Sequence, residues 1–229
     1  YERSGRVVCI GRPERNGSIT VVGAVSPPGG DFSEPVTQST LRVVGTFWAL
    51  DDRLASRRHF PSINWLRSYS LYIELFQPWY RENMPADFQE LRDRASTLLQ
   101  REAELQEIVQ LVGPDALQDD QRLIIEAGKM LREDFLQQSA YSDVDSDCPL
   151  MKSYGILKAI IRFYDEASAA LKRGMLLDEI LNLKLIEEVA RMKETPKDHF
   201  ESYIQDWFTR LPEAFGVKPA EPAVAGGEE

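Results

Sequence analysis

From Tyr69 onward the chain is written almost continuously in helical periodicity. Leu98, Leu105, Ile108, Val109 and Val112 keep one face through Phe88–Val112, which Gly113-Pro114 closes. Asp119–Gln137 carries Leu123, Ile124, Ala127, Leu131 and Phe135 at the same spacing. Leu150, Tyr154, Leu157, Ile161, Tyr164 and Leu171 stripe a further helix that ends at Lys172-Arg173-Gly174. Shorter helices are expected near Leu177–Asn182, Lys184–Lys193 and His199–Leu211. Pro212–Glu229 holds three prolines and three glycines with no apolar period, and is expected to be a disordered tail. Residues 69–211 therefore predict an all-α bundle, and no internal repeat of solenoid length interrupts it.

The first 68 residues are written differently. Arg6–Ile10 and Ser18–Val25 are rich in β-branched residues, and Asn16-Gly17 between them favours a turn, so two strands are expected. The second is nearly all apolar, as in an α/β sheet covered on both faces. It runs into Ser26-Pro-Pro-Gly-Gly-Asp31, stiff and then flexible. A helix capped by Thr37 or Ser39 is expected to carry Leu41, Val44, Phe47, Trp48 and Leu54, and to stop before His59-Phe60-Pro61. Arg53, Arg57 and Arg58 gather at its end, either as a solvated C-terminal turn or as a contact for phosphate or a partner. Charge follows the same division. Residues 1–69 hold nine Arg against six acidic residues, a net +3, while the remainder holds 18 basic against 31 acidic, a net −13 within the total of −10.

Composition and motifs exclude several classes. Net −10 argues against a nucleic-acid partner held by broad charge. Two cysteines, Cys9 and Cys148, make no disulfide framework. No run of about 18 apolar residues predicts a membrane span, and no signal-peptide pattern opens the chain. The chain also lacks an initiating Met, so it is expected to be a piece of something longer. A phosphate loop needs Gly-x-x-x-x-Gly-Lys-Ser/Thr; around Gly128-Lys129 the flanking positions are Leu123 and Met130, and no loop results. Asp143, Asp145 and Asp147 mimic a calcium loop, but Cys148 and Tyr154 stand where Gly and Glu are required, so a solvated acidic turn is expected. His59 and His199 have no metal-like spacing, and Cys148 sits among acids that would not activate a thiolate.

A specific resemblance enters with Val22-Gly-Ala-Val-Ser-Pro-Pro-Gly-Gly-Asp-Phe-Ser-Glu-Pro-Val-Thr-Gln38. With Phe47–Leu50, Arg57–Pro61, Ile63–Trp65, Ser68–Leu71, Leu105–Gly113, Arg132–Gln138, Tyr154-Gly155 and Lys172–Gly174, the chain resembles the catalytic A subunit of V-type/A-type rotary ATPases over roughly residues 1–190. The likeness reads as closest to the bacterial Thermus–Deinococcus kind, and the Ser26–Asp31 loop favours the catalytic over the non-catalytic paralogue. It implies an α+β chain overall: residues 1–68 as the C-terminal remnant of an α/β P-loop nucleotide-binding domain, and 69–211 as the helical bundle after it. In that family the P-loop, the catalytic glutamate and the Mg²⁺-binding acid lie N-terminal to this segment, so no catalytic residue is expected here. The implied reaction is ATP hydrolysis or synthesis coupled to proton or sodium transport, by in-line attack of water with an arginine from the neighbouring B subunit.

The resemblance also implies roles for particular residues. Phe60 matches an aromatic that packs on adenine, with Phe135, Gln138, Ala140 and Tyr141 as the opposite wall; a flat apolar slot suits the purine face and Gln its edge. The alternative reading of Phe60 and Phe135 is as core residues. Pro27, Pro28, Gly29, Gly30 and Asp31 match a rotor-facing loop, and Asp178 and Glu179 are expected at a rotor-facing turn. ATP or ADP with Mg²⁺ is the implied cofactor set. B subunits in an alternating hexameric ring, central rotor-stalk subunits and a peripheral stalk are the implied partners, with no nucleic acid and no direct membrane insertion. The implied location is the cytoplasmic face of a membrane, within a larger complex. Alone, the segment is expected to be inactive. The competing expectation is a non-catalytic helical assembly module.

Overall fold

The computed structural model describes residues 11–12 and 20–217. The chain divides into two compact units, Tyr1–Val44 and Gly45–Glu229.

In the first unit, the expected strand Arg6–Ile10 lies outside the described residues. Residues 20–25 form no strand, and Val21 and Val22 are exposed. An all-apolar strand persists only where neighbours satisfy its backbone and cover its faces, and among the described residues none pairs with it. A 3₁₀ turn follows at Pro28–Gly30. Helix α1 spans Pro35–Leu41 and starts earlier than expected: Glu34, not Thr37 or Ser39, is the cap, accepting the Thr37 N–H at 2.9 Å. Pro35 at the first position costs nothing there, because that N–H has no helical acceptor.

The single long helix expected through Leu54 is broken in the second unit. Strand β1 (Thr46–Phe47) pairs antiparallel with β2 (Tyr69–Ser70), Thr46 opposite Ser70 and Phe47 opposite Tyr69. The cause is visible at Gly45, where a Cβ would lie 2.5 Å from the hydroxyl oxygen of Tyr72. Helix α2 (Asp52–Ser56) is capped by Asp51, which accepts the Arg53 N–H at 2.9 Å and the Asn64 amide at 2.8 Å. Those bonds hold the Asp51 carboxyl below the usual carboxylate range, the Asn64 bond being the largest cause. Helix α3 follows at Gln77–Asn83.

The bundle is made of α4 (Phe88–Val112), α5 (Asp119–Met130), α6 (Leu150–Lys172), α7 (Leu177–Leu181), α8 (Lys184–Met192) and α9 (Lys197–Ala214). Helix α6 is its axis, touching α4, α5, α8 and α9, with Ala159, Ile160, Ile161 and Phe163 withdrawn from solvent. Gly155 permits the closest approach: a Cβ there would meet the Phe200 ring at 2.7 Å and Ile204 at 2.8 Å. Trp207 on α9 is fully buried, and its indole N–H donates to the Leu185 carbonyl at 3.3 Å. Burying such a side chain stabilises the bundle by about 2–3 kcal/mol. Two elements differ from expectation. The helix begun at Asp119 widens into a π-helical turn at Leu131–Leu136. Helix α9 runs past Leu211 to Ala214, and Phe215 packs on Phe163 at 5.6 Å between ring centroids, so order extends into the expected tail. The remainder of that tail lies outside the described residues.

Candidate nucleotide-binding site

The site is built from two segments far apart in sequence. The first is the turn after α2. Arg58 takes φ +60, a left-handed conformation that a non-glycine residue adopts only when its surroundings fix it. Here the Arg58 N–H donates to Ala55 at 2.9 Å, and the His59 N–H to Leu54 at 3.0 Å. The His59 side chain is buried, 5.5 Å from the Trp65 ring, and burial pushes its pKa down, helped by the nearby Arg132 cation. With His59 anchored inward, Phe60 is left 51% exposed.

The second segment is the π-helical turn and its exit. Arg132 opens that turn and pairs with Glu102, whose side chain is nearly buried on α4. Lys193 donates to the Glu133 carbonyl at 2.9 Å. Asp134, shielded from water in the same turn, is raised to about 6 by burial. At the exit the two segments join: the Gln138 N–H donates to the Phe60 carbonyl at 2.7 Å, and the Gln137 amide reaches the Arg58 carbonyl at 3.4 Å.

Of the five residues expected at a base slot, the backbone thus brings Phe60 and Gln138 together. Phe135 is partly buried and packs on the bundle core. Ala140 and Tyr141 are exposed, Tyr141 completely. Phe60 and Gln138 are both exposed, and neither lines one of the concavities found among the described residues. Two shallow concavities lie elsewhere, one along Pro35, Val36 and Val43 and one between Asp119, Leu171 and Met175. Arg53, Arg57 and Arg58 form no ion pair among the described residues.

The other expected contact residues are placed as follows. The Pro27–Asp31 loop turns on Gly29 (φ +64) and Gly30 (φ +70), with the Gly30 N–H on Pro27 at 3.1 Å and the Asp31 N–H on Pro28 at 3.3 Å. Asp31 accepts both the hydroxyl and the N–H of Ser33, which lower its pKa. Asp178 and Glu179 are exposed in the first turn of α7, where Glu179 also accepts the Leu176 N–H at 3.4 Å.

Sequence reasoning missed Asp145. Its carboxylate does not face water in an acidic turn but is buried, accepting the Ser139 N–H at 2.6 Å. Among the described residues no three His, Cys, Asp or Glu converge as for a metal, so the 143/145/147 triplet does not close. Lys152, also buried, donates to the carbonyls of Lys193 at 2.5 Å and Thr195 at 2.8 Å. Lys152 gives no local signal of burial, because its acceptors lie more than 40 positions away, whereas the partners of Asp145 are Ser139 and Ser142 in its own loop.

Comparison with known proteins places this geometry in context. The ATP synthase alpha/beta family, nucleotide-binding domain, matches residues 1–70, and the C-terminal domain of V and A type ATP synthase matches residues 77–181. The chain is 57% identical over 215 residues to the A-type ATP synthase A subunit of Methanopyrus kandleri, covering 94% of this chain and 36% of that protein. It is 59% identical over 194 residues to an A-type ATP synthase A subunit of Methanospirillum hungatei, covering 85% and 33%. For the A-type ATP synthase A subunit of Thermococcus onnurineus the identity is 55% over 197 residues, covering 86% and 34%. The chain spans about a third of the length of these curated relatives, which do not establish the Thermus–Deinococcus affinity expected above. Among solved structures, the ATP synthase subunit NeqB from Nanoarcheaum equitans superposes with a TM-score of 0.50 at 20% identity, covering 60% of this chain and 32% of that one; this is a likeness of fold alone. No helix among the described residues is long and apolar enough to cross a membrane. With both family matches in chain order and identities above 50% across most of its length, the chain belongs to the family of A-type/V-type ATP synthase A subunits and corresponds to their C-terminal part.

Proposed function

We propose that this chain works as the C-terminal part of the catalytic subunit of a rotary ATPase/ATP synthase, coupling ATP hydrolysis or synthesis to proton or sodium transport. Its share of the work is to supply one wall of the adenine site, a rotor-facing loop at Pro27–Asp31, and the helical domain that transmits force. The observation that carries the reading is the bond from the Gln138 N–H to the Phe60 carbonyl. It joins the main chain of a half-exposed phenylalanine to that of an exposed glutamine, which suits a purine ring stacked on Phe60 with its polar edge toward Gln138. Alternating non-catalytic B subunits, the central rotor stalk and a peripheral stalk are the partners in this reading. The complex then attaches to the cytoplasmic face of its membrane through other subunits.

Among the described residues no three His, Cys, Asp or Glu side chains gather as metal ligands. Contacts to Mg²⁺ and to the phosphates are assigned to the part of the protein that this segment does not include. Photolabelling the assembled complex with 8-azido-ATP, followed by peptide mapping, tests the reading. Label on the peptides carrying Phe60 or residues 135–141, suppressed by excess ATP, is the expected result. ATP-protected labelling that leaves both peptides untouched would refute the base site.

A further inference from the structure

The loop that carries Gln138 is more tightly specified than a surface connection requires. Four of its main-chain donors have partners. The Gln138 N–H goes to Phe60, the Ser139 N–H to Asp145, the Tyr141 N–H to Ser139 Oγ at 3.3 Å, and the Ser142 N–H to the Ser139 carbonyl at 3.3 Å. The shortest of these bonds ends on a carboxylate that is 3% exposed, and the Asp145 N–H is itself held by Ser142 Oγ at 3.3 Å. The Phe60 carbonyl and the Gln138 N–H satisfy each other, so neither is free to read a base. The polar group this pairing leaves over is the carboxamide of Gln138, a residue that is exposed.

We propose that Asp145 is a positioning residue for base recognition: by fixing the Ser139 N–H it holds the Gln138 carboxamide in register with Phe60, so that the site senses the 6-amino group of adenine. The inference rests on the nucleotide reading above. Asp145 touches no nucleotide in this account; it acts through Ser139. A charged acceptor in a shielded position binds an N–H more firmly than a neutral one, which suits a loop that must hold one conformation.

The test uses the full-length protein in its assembled complex and compares kcat/KM for ATP with that for purine riboside triphosphate, which lacks the 6-amino group. Asp145→Ala should lower the ATP preference about five- to tenfold, the size of one lost oriented hydrogen bond. The loss should appear in KM, with kcat held within about twofold. Asp145→Asn keeps an oxygen acceptor and should restore most of the preference. Ser142→Ala, a milder change that loosens the Asp145 backbone, should shift the ratio in the same direction even where Asp145→Ala impairs assembly. A ratio unchanged in both the Asp145→Ala and Ser142→Ala complexes would overturn the proposal, whatever happens to melting temperature. Phe60→Ala separates the two levels of inference. If it raises KM for both nucleotides while the Asp145 and Ser142 variants leave the ratio intact, only the positioning role fails. If it changes neither KM, the base site itself is wrong and the proposal falls with it.

Discussion

Glu102 on α4 lies across the bare Cα of Gly128 on α5: a Cβ there would sit 2.8 Å from the Glu102 Cβ and closer still to its Cγ. These are atoms next to the Glu102 backbone, too constrained to swing aside. Alanine for glycine inside a helix ordinarily adds about 1 kcal/mol of stability. At this contact the overlap outweighs that gain, so Gly128→Ala should destabilise by about 1–3 kcal/mol. Urea midpoints with unchanged m-values measure the loss, and a midpoint equal to or above the parent would show that α4 and α5 separate without cost.

The same glutamate neutralises Arg132 at the start of the π-helical turn. Glu102 has 4% of its side chain exposed and Arg132 23%. Removing one partner leaves a charge stranded out of water, so Arg132→Ala should cost about 3 kcal/mol. Replacing both, as Glu102→Leu with Arg132→Met, removes the desolvation penalty together with the attraction and should recover most of that loss. A double-mutant cycle in thermal unfolding checks it; additive losses would mean that the pair is not coupled.

Among the groups through which acid should act on the second unit, two oppose one another. Asp134 is raised from 3.8 to about 6, by burial first and by Glu133 against Lys193 and Lys129. Between pH 6 and 3.8 the folded chain therefore binds the proton more than the unfolded chain does, and this group adds stability as pH falls. His59 is lowered below 6.5, by burial first, then by Arg132 and Lys193 against Glu133. Below pH 6.5 the unfolded chain takes up that proton first, so this group removes stability as pH falls. Asp134→Asn should thus raise stability at about pH 8 by about 1–2 kcal/mol and give no advantage near about pH 4. Stability curves of the two proteins across that range decide it, and parallel curves would contradict the assignment.

Asp178 and Glu179 stand exposed on the short helix α7. The double change Asp178→Asn with Glu179→Gln removes two charges, yet the new carboxamide at position 179 still offers an oxygen to the Leu176 N–H. Melting temperature should then move by no more than about 2 °C. With the rotor-facing role that the family resemblance implies for them, coupled turnover in the assembled complex should fall about two- to fivefold. Unchanged coupled turnover would take these residues out of the rotor contact.

The long helices were legible because two local signals agreed. The stripe through Leu98 and Leu105 ends at Gly113, whose φ is +87, and the stripe through Leu157 and Ile161 ends at Gly174, φ +94. The helix expected across Leu41–Leu54 failed because Gly45 answers to Tyr72, a neighbour well beyond any local window of sequence. Within the π-helical turn, Arg132 likewise finds its partner in Glu102, 30 positions earlier in the chain. At the site, periodicity and charge pointed to nothing; Phe60 and Gln138 were named only through the resemblance. The family pattern could pair them, but not show that a main-chain bond joins them, nor that Asp145 turns inward beneath the loop.

Lys152 carries its ammonium inside the protein, on the carbonyls of Lys193 and Thr195 at the turn between α8 and α9. Its chemistry toward the outside world is therefore conditional. An acylating reagent in solution meets the exposed lysines at once, but reaches Lys152 only in the instants when that turn comes away from α6. The rate at which Lys152 is modified is a clock for that opening, readable by mass spectrometry without any probe being attached. Under the proposed force-transmitting role of the helical domain, the same amine would record how often the joint between α6 and the last two helices gives way.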